Sequence, residues 1–290
     1  MASAGAAAAL LVLSSCSGQV SETTPKASLT PAAGSASSSG TTSPVSPAPG
    51  KSATPAGPVN VYAGAGAGML SATAKKARPL VYVPNGAANT MQVIDPKTFK
   101  VIGTYPTGRQ PQHVVPSWDL KTLWVNDDIG NDLVPIDPTT GKPGKPVHVE
   151  DPYNLYFTPD GAHALVMAER LRRIDVRNPR TMALERSLPV PCRGVNHADY
   201  AANLSFFVAS CEFSGKLLVI DRADTKLIKV INLNEAKAPG AVSPRAAMSM
   251  GVGTSNLEPA AAAMPQHERP TPDGTRFLVA TMFATGLWAI

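Results

Sequence analysis

Several things are scarce in these 290 residues. Aromatic residues make up 6% and charged residues 16%, and there are three cysteines and five histidines. The chain has no Gly-x-Ser-x-Gly elbow, no His-Glu-x-x-His helix and no phosphate loop, so no catalytic arrangement stands out. Positive charge is scarce as well. The net charge is +5 and, outside Arg170 to Arg186, it is not clustered, which gives no ground for a nucleic-acid partner. No apolar run is long enough for a membrane span; the Ala/Leu stretch near the start is about a dozen residues, against the ~20 a bilayer needs. Against these shortages stand 28 Pro and 23 Gly, a composition of many turns and little helix. Hydrophobic residues reach 43%, compatible with a globular core diluted by a polar front end.

Residues 1–16 read MASAGAAAALLVLSSC and have the apolar part of a secretory signal. Leu13-Ser14-Ser15-Cys16 resembles a bacterial lipobox, whose cysteine is acylated and becomes residue one. That resemblance implies an extracytoplasmic protein held at the cell membrane by a lipid on Cys16, with no other membrane contact. No Lys or Arg precedes Cys16, although such signals begin with a positive region, so the expectation is a natural start upstream of Met1. The competing reading is an apolar end without consequence. Residues 17–58 are almost entirely Ser, Thr, Pro, Ala and Gly. Too little apolar surface is present to offset the entropy of ordering, which predicts a disordered tether reaching a few nanometres at about 5–6 Å × √n.

Past the tether the chain repeats itself. Leu80 to Val83, Met91 to Ile94 and Phe99 to Tyr105 are short β-branched and aromatic runs, separated by Pro84 to Thr90 and by Asp95-Pro96-Lys97-Thr98. Such runs split by turn formers are strand–turn–strand signals. The pattern returns at Leu123 to Asn126 and Leu133 to Ile136, at Leu165 to Met167 and Leu171 to Asp175, at Phe206 to Ala209 and Leu217 to Asp221, and at Phe277 to Ala280 and Leu287 to Ile290. The pairs Ile94-Asp95, Ile136-Asp137, Ile174-Asp175 and Ile220-Asp221 mark steps of roughly forty residues, the period of β-propeller blades. The prediction is an all-β fold of four-stranded blades over residues 59–290, four full and a partial fifth. Val59 to Leu70, with Gly64, Gly66 and Gly68, reads as a strand added to a blade edge. The Ala/Pro/Gly/Ser-rich segment 234–264 reads as a loop inserted in the fourth copy.

Each copy begins with a turn: Thr158-Pro159-Asp160-Gly161 and Thr271-Pro272-Asp273-Gly274 are near-identical, and Pro116-Ser117-Trp118-Asp119 is a divergent version. Pro-Asp-Gly, then a Tyr/Trp/Phe-x-Val strand, then Val-x-Val-Ile-Asp, then Asp-x-Thr, resembles the YVTN-type repeat of YncE-like secreted β-propellers over residues 79–290. Members of that family often complete about seven blades, which implies that this chain is a piece of a longer propeller.

Polar residues recur at one register. His113 follows Arg109-Gln110-Pro111-Gln112, His267 follows Pro265-Gln266, His197 lies in Val195-Asn196-His197-Ala198-Asp199, and Asn154 follows Pro152-Tyr153. Blades are related by rotation about one axis, so His113, Asn154, His197 and His267 are expected to meet at one end of a central channel. There they would bind a polar ligand or an envelope protein, or, through His113, His197 and His267, copper or zinc; or they simply hydrogen-bond neighbouring strand ends. With Cys16 lipidated, Cys192 and Cys211 remain as an even pair for a disulfide in an oxidising compartment. The rival is a metal site of Cys192, His197, Asp199, Cys211 and Glu212, which lacks close-spaced ligand pairs. Arg170, Arg172, Arg173, Arg177, Arg180 and Arg186 read as a solvated blade edge, or as a contact for an anionic surface. Asp127-Asp128 reads as a loop pair. The functional expectation is an exported binding or scaffold module with no cofactor; a copper protein is the alternative, and a propeller-lactonase-like hydrolase a fold analogy only.

Overall fold

The computed structural model describes residues 60–223, 225–234, 263–282 and 287–290. The expected signal over 1–16 with Cys16, the tether over 17–58 and the inner part of the 234–264 insertion lie outside the described residues. Within them the chain is all-β, with two 3₁₀ turns at Ala74–Lys76 and Glu212–Ser214.

Among the described residues, nineteen strands build five antiparallel sheets in chain order. The first holds β1 (Val81–Asn85), β2 (Thr90–Asp95) and β3 (Lys100–Pro106). The second holds β4 (Pro111–Pro116), β5 (Leu123–Asp127), β6 (Asp132–Asp137) and an outer strand broken into β7 (Lys142–Pro143) and β8 (Val147–His148), both paired with β6. Pro143 and Pro146 explain the break, since neither can donate to the ladder. The third holds β9 (Pro152–Phe157), β10 (Ala164–Ala168), β11 (Arg173–Arg177) and β12 (Leu184–Pro189). The fourth holds β13 (Val195–Tyr200), β14 (Phe206–Cys211), β15 (Lys216–Asp221) and β16 (Lys226–Asn232); the fifth holds β17 (Pro265–Pro270), β18 (Phe277–Thr281) and β19 (Leu287–Ala289).

The sheets cut the chain one strand earlier than the repeated turns do. The histidine-bearing segment, which a repeat counted from Leu80 leaves at the end of a copy, is the first strand of the next sheet. These first strands, β4, β9, β13 and β17, lie side by side, with β1 beside β4.

Four apolar clusters fill the spaces between successive sheets. Met91 and Val93 meet Val125, Val134 and Ile136. Trp124 and Leu133 meet Leu155, Ala164 and Val166. Leu165, Met167 and Ile174 meet Phe207, Ala209, Leu218 and Ile220. Val208 and Leu217 meet Phe277 and Val279. Along β10, Ala164 and Val166 face the second sheet while Leu165 and Met167 face the fourth. A strand buried on both faces must be apolar at every position, which is why β10 reads ALVMA without the usual polar alternation.

Turn geometry repeats as strictly as the strands do. Backbone in the left-handed region occurs at Gln110, Asp151, Gly194 and Met264, just before each first strand, and at Leu120, Gly161, Leu204 and Gly274, in the turn after it. It recurs at Asn131, Arg172 and Gly215 between second and third strands and at Gly141, Met182 and Thr225 after the third; in the three-stranded first sheet Asn89, between β1 and β2, and Phe99, after β2, hold the corresponding places. The turn Ala201-Ala202-Asn203-Leu204 is therefore the fourth copy of the Pro-Asp-Gly turn, with Asn203 Oδ1 accepting from Ser205 N as Asp160 Oδ1 accepts from Ala162 N. It lacks the proline and glycine that betray the turns at 158–161 and 271–274. Gly161 is not replaceable there: a Cβ would lie 2.5 Å from Trp118 Cε3.

Of the strand expected over residues 59–70, nothing forms within the described residues 60–70. Residues 61–64 and 67–68 are turns, because Gly64, Gly66 and Gly68 offer no side chain to pack on a sheet. The segment instead rests on the fifth sheet's turn, with Val61 N donating to Pro272 O at 3.0 Å and the Tyr62 hydroxyl to Pro270 O at 2.8 Å.

Cys192, ahead of β13, and Cys211, at the end of β14, form a disulfide with Cα atoms 6.0 Å apart and a sequence separation of 19. Closing a loop of that size restricts the unfolded chain by about 3 kcal/mol. Replacing both cysteines by alanine is expected to lower stability by that amount, roughly 6–12 °C in Tm for a domain of this size. Thermal melts of the wild type with and without reductant, beside the double variant, check it; coincident curves would refute it.

Candidate functional site

The inner strands bring the three predicted histidines together. His113 and His197 have ring centroids 5.3 Å apart, and His197 and His267 stand 4.0 Å apart. Each inner strand breaks register at this point: between Pro111 and His113, between Pro152 and Asn154, between Val195 and Ala198, and between Pro265 and His267. Such bulges re-aim side chains, and here they recur in four successive sheets. Asn154 does not join the cluster. Its Nδ2 donates to the Tyr156 hydroxyl at 2.9 Å, and its Oδ1 accepts from Leu155 N at 2.9 Å. Tyr153, the bulged residue, stands in its place, with its ring 5.2 Å from His113 and 5.8 Å from His197.

The imidazoles are uncharged. Burial lowers the His113 pKa, with His267 adding to it against the hydrogen bond to Tyr153. Burial, then His267, His113 and Arg269, pushes His197 down to about 3, and burial and Arg269 lower His267. His113 Nδ1 lies 2.9 Å from Tyr153 O and His197 Nδ1 lies 3.1 Å from Asn196 Oδ1. Both partners are acceptors, so the proton sits on Nδ1 and each Nε2 keeps a lone pair. Asn196 Oδ1 also accepts from the Ser210 hydroxyl at 2.8 Å, which holds that ring's partner in place. Among the described residues no three His, Cys, Asp or Glu side chains are grouped so as to hold one metal ion. His197, Asp199 and Glu212 do not gather around the Cys192–Cys211 sulfurs either; Asp199 pairs with Arg269 at 3.1 Å and Glu212 accepts from Asn196 at 2.6 Å.

A second layer lies at the ends of the inner strands, where second strands turn into third. Asp128, Glu169 and Glu212 each follow the last residue of β5, β10 or β14, so one register of three successive sheets is acidic. All three are buried. With Gln110, Gln112, Tyr153, Arg170 and Phe213 they line a cavity of about 340 Å³. Arg170 is the cation here: its Nε lies 2.8 Å from Asp151 Oδ1 and 3.6 Å from Asp128 Oδ1. Burial pushes Glu169 up to about 9, with Glu212, Asp128 and Asp151 adding to it and Arg170 opposing. Burial raises Glu212 to about 7 against hydrogen bonds from Gln266 and Asn196, and burial followed by Asp151 raises Asp128. Asp127-Asp128 is therefore no exposed loop pair; Asp127 is fully buried and accepts from Gly108 N at 2.9 Å.

The arginine stretch is a solvated edge only in part: Arg170, Arg172, Arg180 and Arg186 are exposed, while Arg173 is half-buried and Arg177 buried. Arg173 and Arg177 both bind buried Asp175, at 2.8 and 3.1 Å, and Arg173 also reaches Glu150 at 2.8 Å. Arg180 lies over the Trp118 ring at 5.4 Å, and Arg172 Nε donates to Cys192 O at 3.1 Å. Strand alternation turns Arg173, Asp175 and Arg177 to one face, where charges of both signs neutralise one another.

The raised Glu169 pKa has a sign that can be checked. Between its ordinary value of 4.5 and about 9 the folded chain holds a proton that the unfolded chain has lost. The destabilisation is therefore absent below about pH 4.5 and grows as pH rises toward 9. Glu169→Gln is expected to leave Tm unchanged near about pH 4.5 and to raise it by at least about 2 °C near pH 8, read by melts across that range. A Tm gain independent of pH would contradict the shift.

Residues 55–186 match the model of a family described as YNCE-like beta-propeller. Among solved structures, a chain of Kuenenia stuttgartiensis hydrazine synthase aligns at 19% identity and a TM-score of 0.53, over 70% of this chain and 53% of that one. A functionally unknown protein from Desulfotomaculum acetoxidans DSM 771 aligns at 14% identity and a TM-score of 0.52, over 73% of this chain and 61% of that one. This chain thus spans less than two thirds of the length of either, and at these identities the likeness shows the fold alone. No curated protein matches. The five-sheet meander continues past residue 186 with the same turns and the same inner-strand bulges, so the fold is a β-propeller, of the YncE-like type over the matched residues 55–186.

Proposed function

We propose that this propeller is a binding module of the bacterial cell envelope that holds a small polar ligand at the ends of its inner strands. One observation carries the reading: three uncharged imidazoles from three different sheets, with Tyr153 from a fourth, converge on one cluster. Neutral rings with an unshared Nε2 lone pair accept hydrogen bonds, and Tyr153 supplies a donor. A rigid sheet framework pre-organises such groups, which lowers the entropy cost of binding. Export by way of a lipid on Cys16 draws support from the Cys192–Cys211 disulfide, a bond that persists in oxidising compartments. The second reading is a copper or zinc centre on His113, His197 and His267, for which two Nε2 lone pairs are on offer but for which the rings would have to shift, since they are not grouped around one ion.

The test is differential melting of the full chain and of the combined His113→Ala, His197→Ala, His267→Ala variant. Both are screened against sugars, amino acids and carboxylates, with copper and zinc as separate arms. A Tm rise in the wild type that vanishes in the triple variant is expected with an organic probe. A rise with copper or zinc alone would transfer the site to the metal reading. Rises that survive the triple substitution, or none, would overturn both.

A further inference from the structure

The acidic layer narrows the ligand class, and the inference from it rests on the binding reading above. We propose that the cavity lined by Asp128, Glu169, Glu212 and Tyr153 takes an organic cation, a primary ammonium or guanidinium group, with Glu169 as its principal counter-charge. Three carboxyl groups line this space and a fourth, Asp151, acts on them from beside it; their partners can be followed one by one. Asp151 binds Arg170 Nε at 2.8 Å and accepts from Leu171 N at 2.8 Å. Asp128 shares the same guanidinium at 3.6 Å. Glu212 accepts from Asn196 Nδ2 at 2.6 Å. Glu169 has none of these. It is 7% exposed, and its Oε1 is buried without a hydrogen-bond partner.

A carboxyl group buried among three others, without a partner of its own, costs several kcal/mol if ionised and uncompensated. It is offset by a proton while the cavity is free of cations, or by a positive group placed there. One arginine cannot serve four carboxyl groups, so the layer has a deficit of positive charge that a monocation or dication would fill. The size favours an organic ion. About 340 Å³ lies within the usual range of small-molecule sites. No three carboxylates or imidazoles among the described residues are grouped tightly enough for one bare metal ion, so the charges are spaced for a group with a volume of its own. Tyr153 and Phe213 present aromatic surface on the same lining, which suits an ammonium or guanidinium. Binding displaces the proton held among Glu169 and its neighbours Asp128, Asp151, Glu212, Tyr153 and Arg170, so affinity rises with pH.

Calorimetric titration of the full chain with agmatine, putrescine and tetramethylammonium tests this. Agmatine or putrescine is expected to bind, with an affinity about a hundredfold higher near pH 8 than near pH 6, on release of roughly one proton. Glu169→Gln is expected to weaken that binding at least about tenfold, the loss of one charge-assisted contact. Glu212→Gln provides the same readout where Glu169→Gln does not fold. Asp160→Asn, in the turn at the opposite end of the third sheet, is expected to leave binding unchanged. Absence of binding by all three probes into the millimolar range overturns the cation assignment; the binding-module reading survives that result if a neutral or anionic probe still requires the histidines. Amine binding that ignores Glu169→Gln and Glu212→Gln yet is lost in the triple histidine variant also overturns it. Loss of both kinds of binding defeats both.

Discussion

The structure depends on burying both faces of each sheet against its neighbours. A propeller blade cannot use the half-wet sheet of an ordinary hairpin stack, because a sheet flanks it on either side. Each interior strand therefore has to serve two cores at once. Strand β10 does so with two sets of side chains, Ala164 and Val166 toward one neighbour and Leu165 and Met167 toward the other. At about 25 cal/mol per Å² of apolar area these interfaces dominate the stabilisation, and they fix the angle between successive sheets. Everything nearer the axis inherits its position from them.

That inheritance is why a site can be built from residues far apart in sequence. Once successive sheets pack in the same way, a residue three places into one inner strand stands beside its counterpart in the next. The bulge repeated at this point turns the counterparts inward, and it explains how His113, His197 and His267 meet without any local motif. The left-handed residues tell the same story from the backbone. Leu120, Gly161, Leu204 and Gly274 occupy equivalent places, yet two are exposed leucines, held in that region by the turn itself, where Leu120 N donates to Ser117 O at 2.9 Å and Leu204 N to Ala201 O at 2.8 Å.

Much of this was legible in the chain. The Ile-Asp pairs and the Pro-Asp-Gly turns disclose the blades because turn chemistry and strand alternation are local rules. The register of the histidines follows from the same periodicity. What stayed hidden depended on burial and on side-chain direction. Asn154 sits at the right register, but the neighbouring Tyr156 hydroxyl engages it, and the bulge exchanges it for Tyr153. Asp128, Glu169 and Glu212 were visible as acidic residues following the second strands. Each was surrounded by a distracting context, a Gly/Asn-rich turn, an arginine run and a cysteine. A charge next to a turn reads as solvated, and only the packing of the adjacent sheets shows otherwise. The arginines of β11 misread for the same reason, since buried Asp175 lies between Arg173 and Arg177 and pairs with both, and Glu150 supplies the second negative charge.

The two polar layers reach neutrality from opposite sides. Burial, the neighbouring imidazoles and Arg269 lower the His197 pKa, whereas burial and the neighbouring carboxyl groups raise that of Glu169. Buried polar networks are costly when partly satisfied, and a fold stabilised by apolar interfaces alone has no need for one here. The unpartnered Glu169 therefore marks the place where local stability is yielded, at the point where three sheets direct their polar side chains to one cavity.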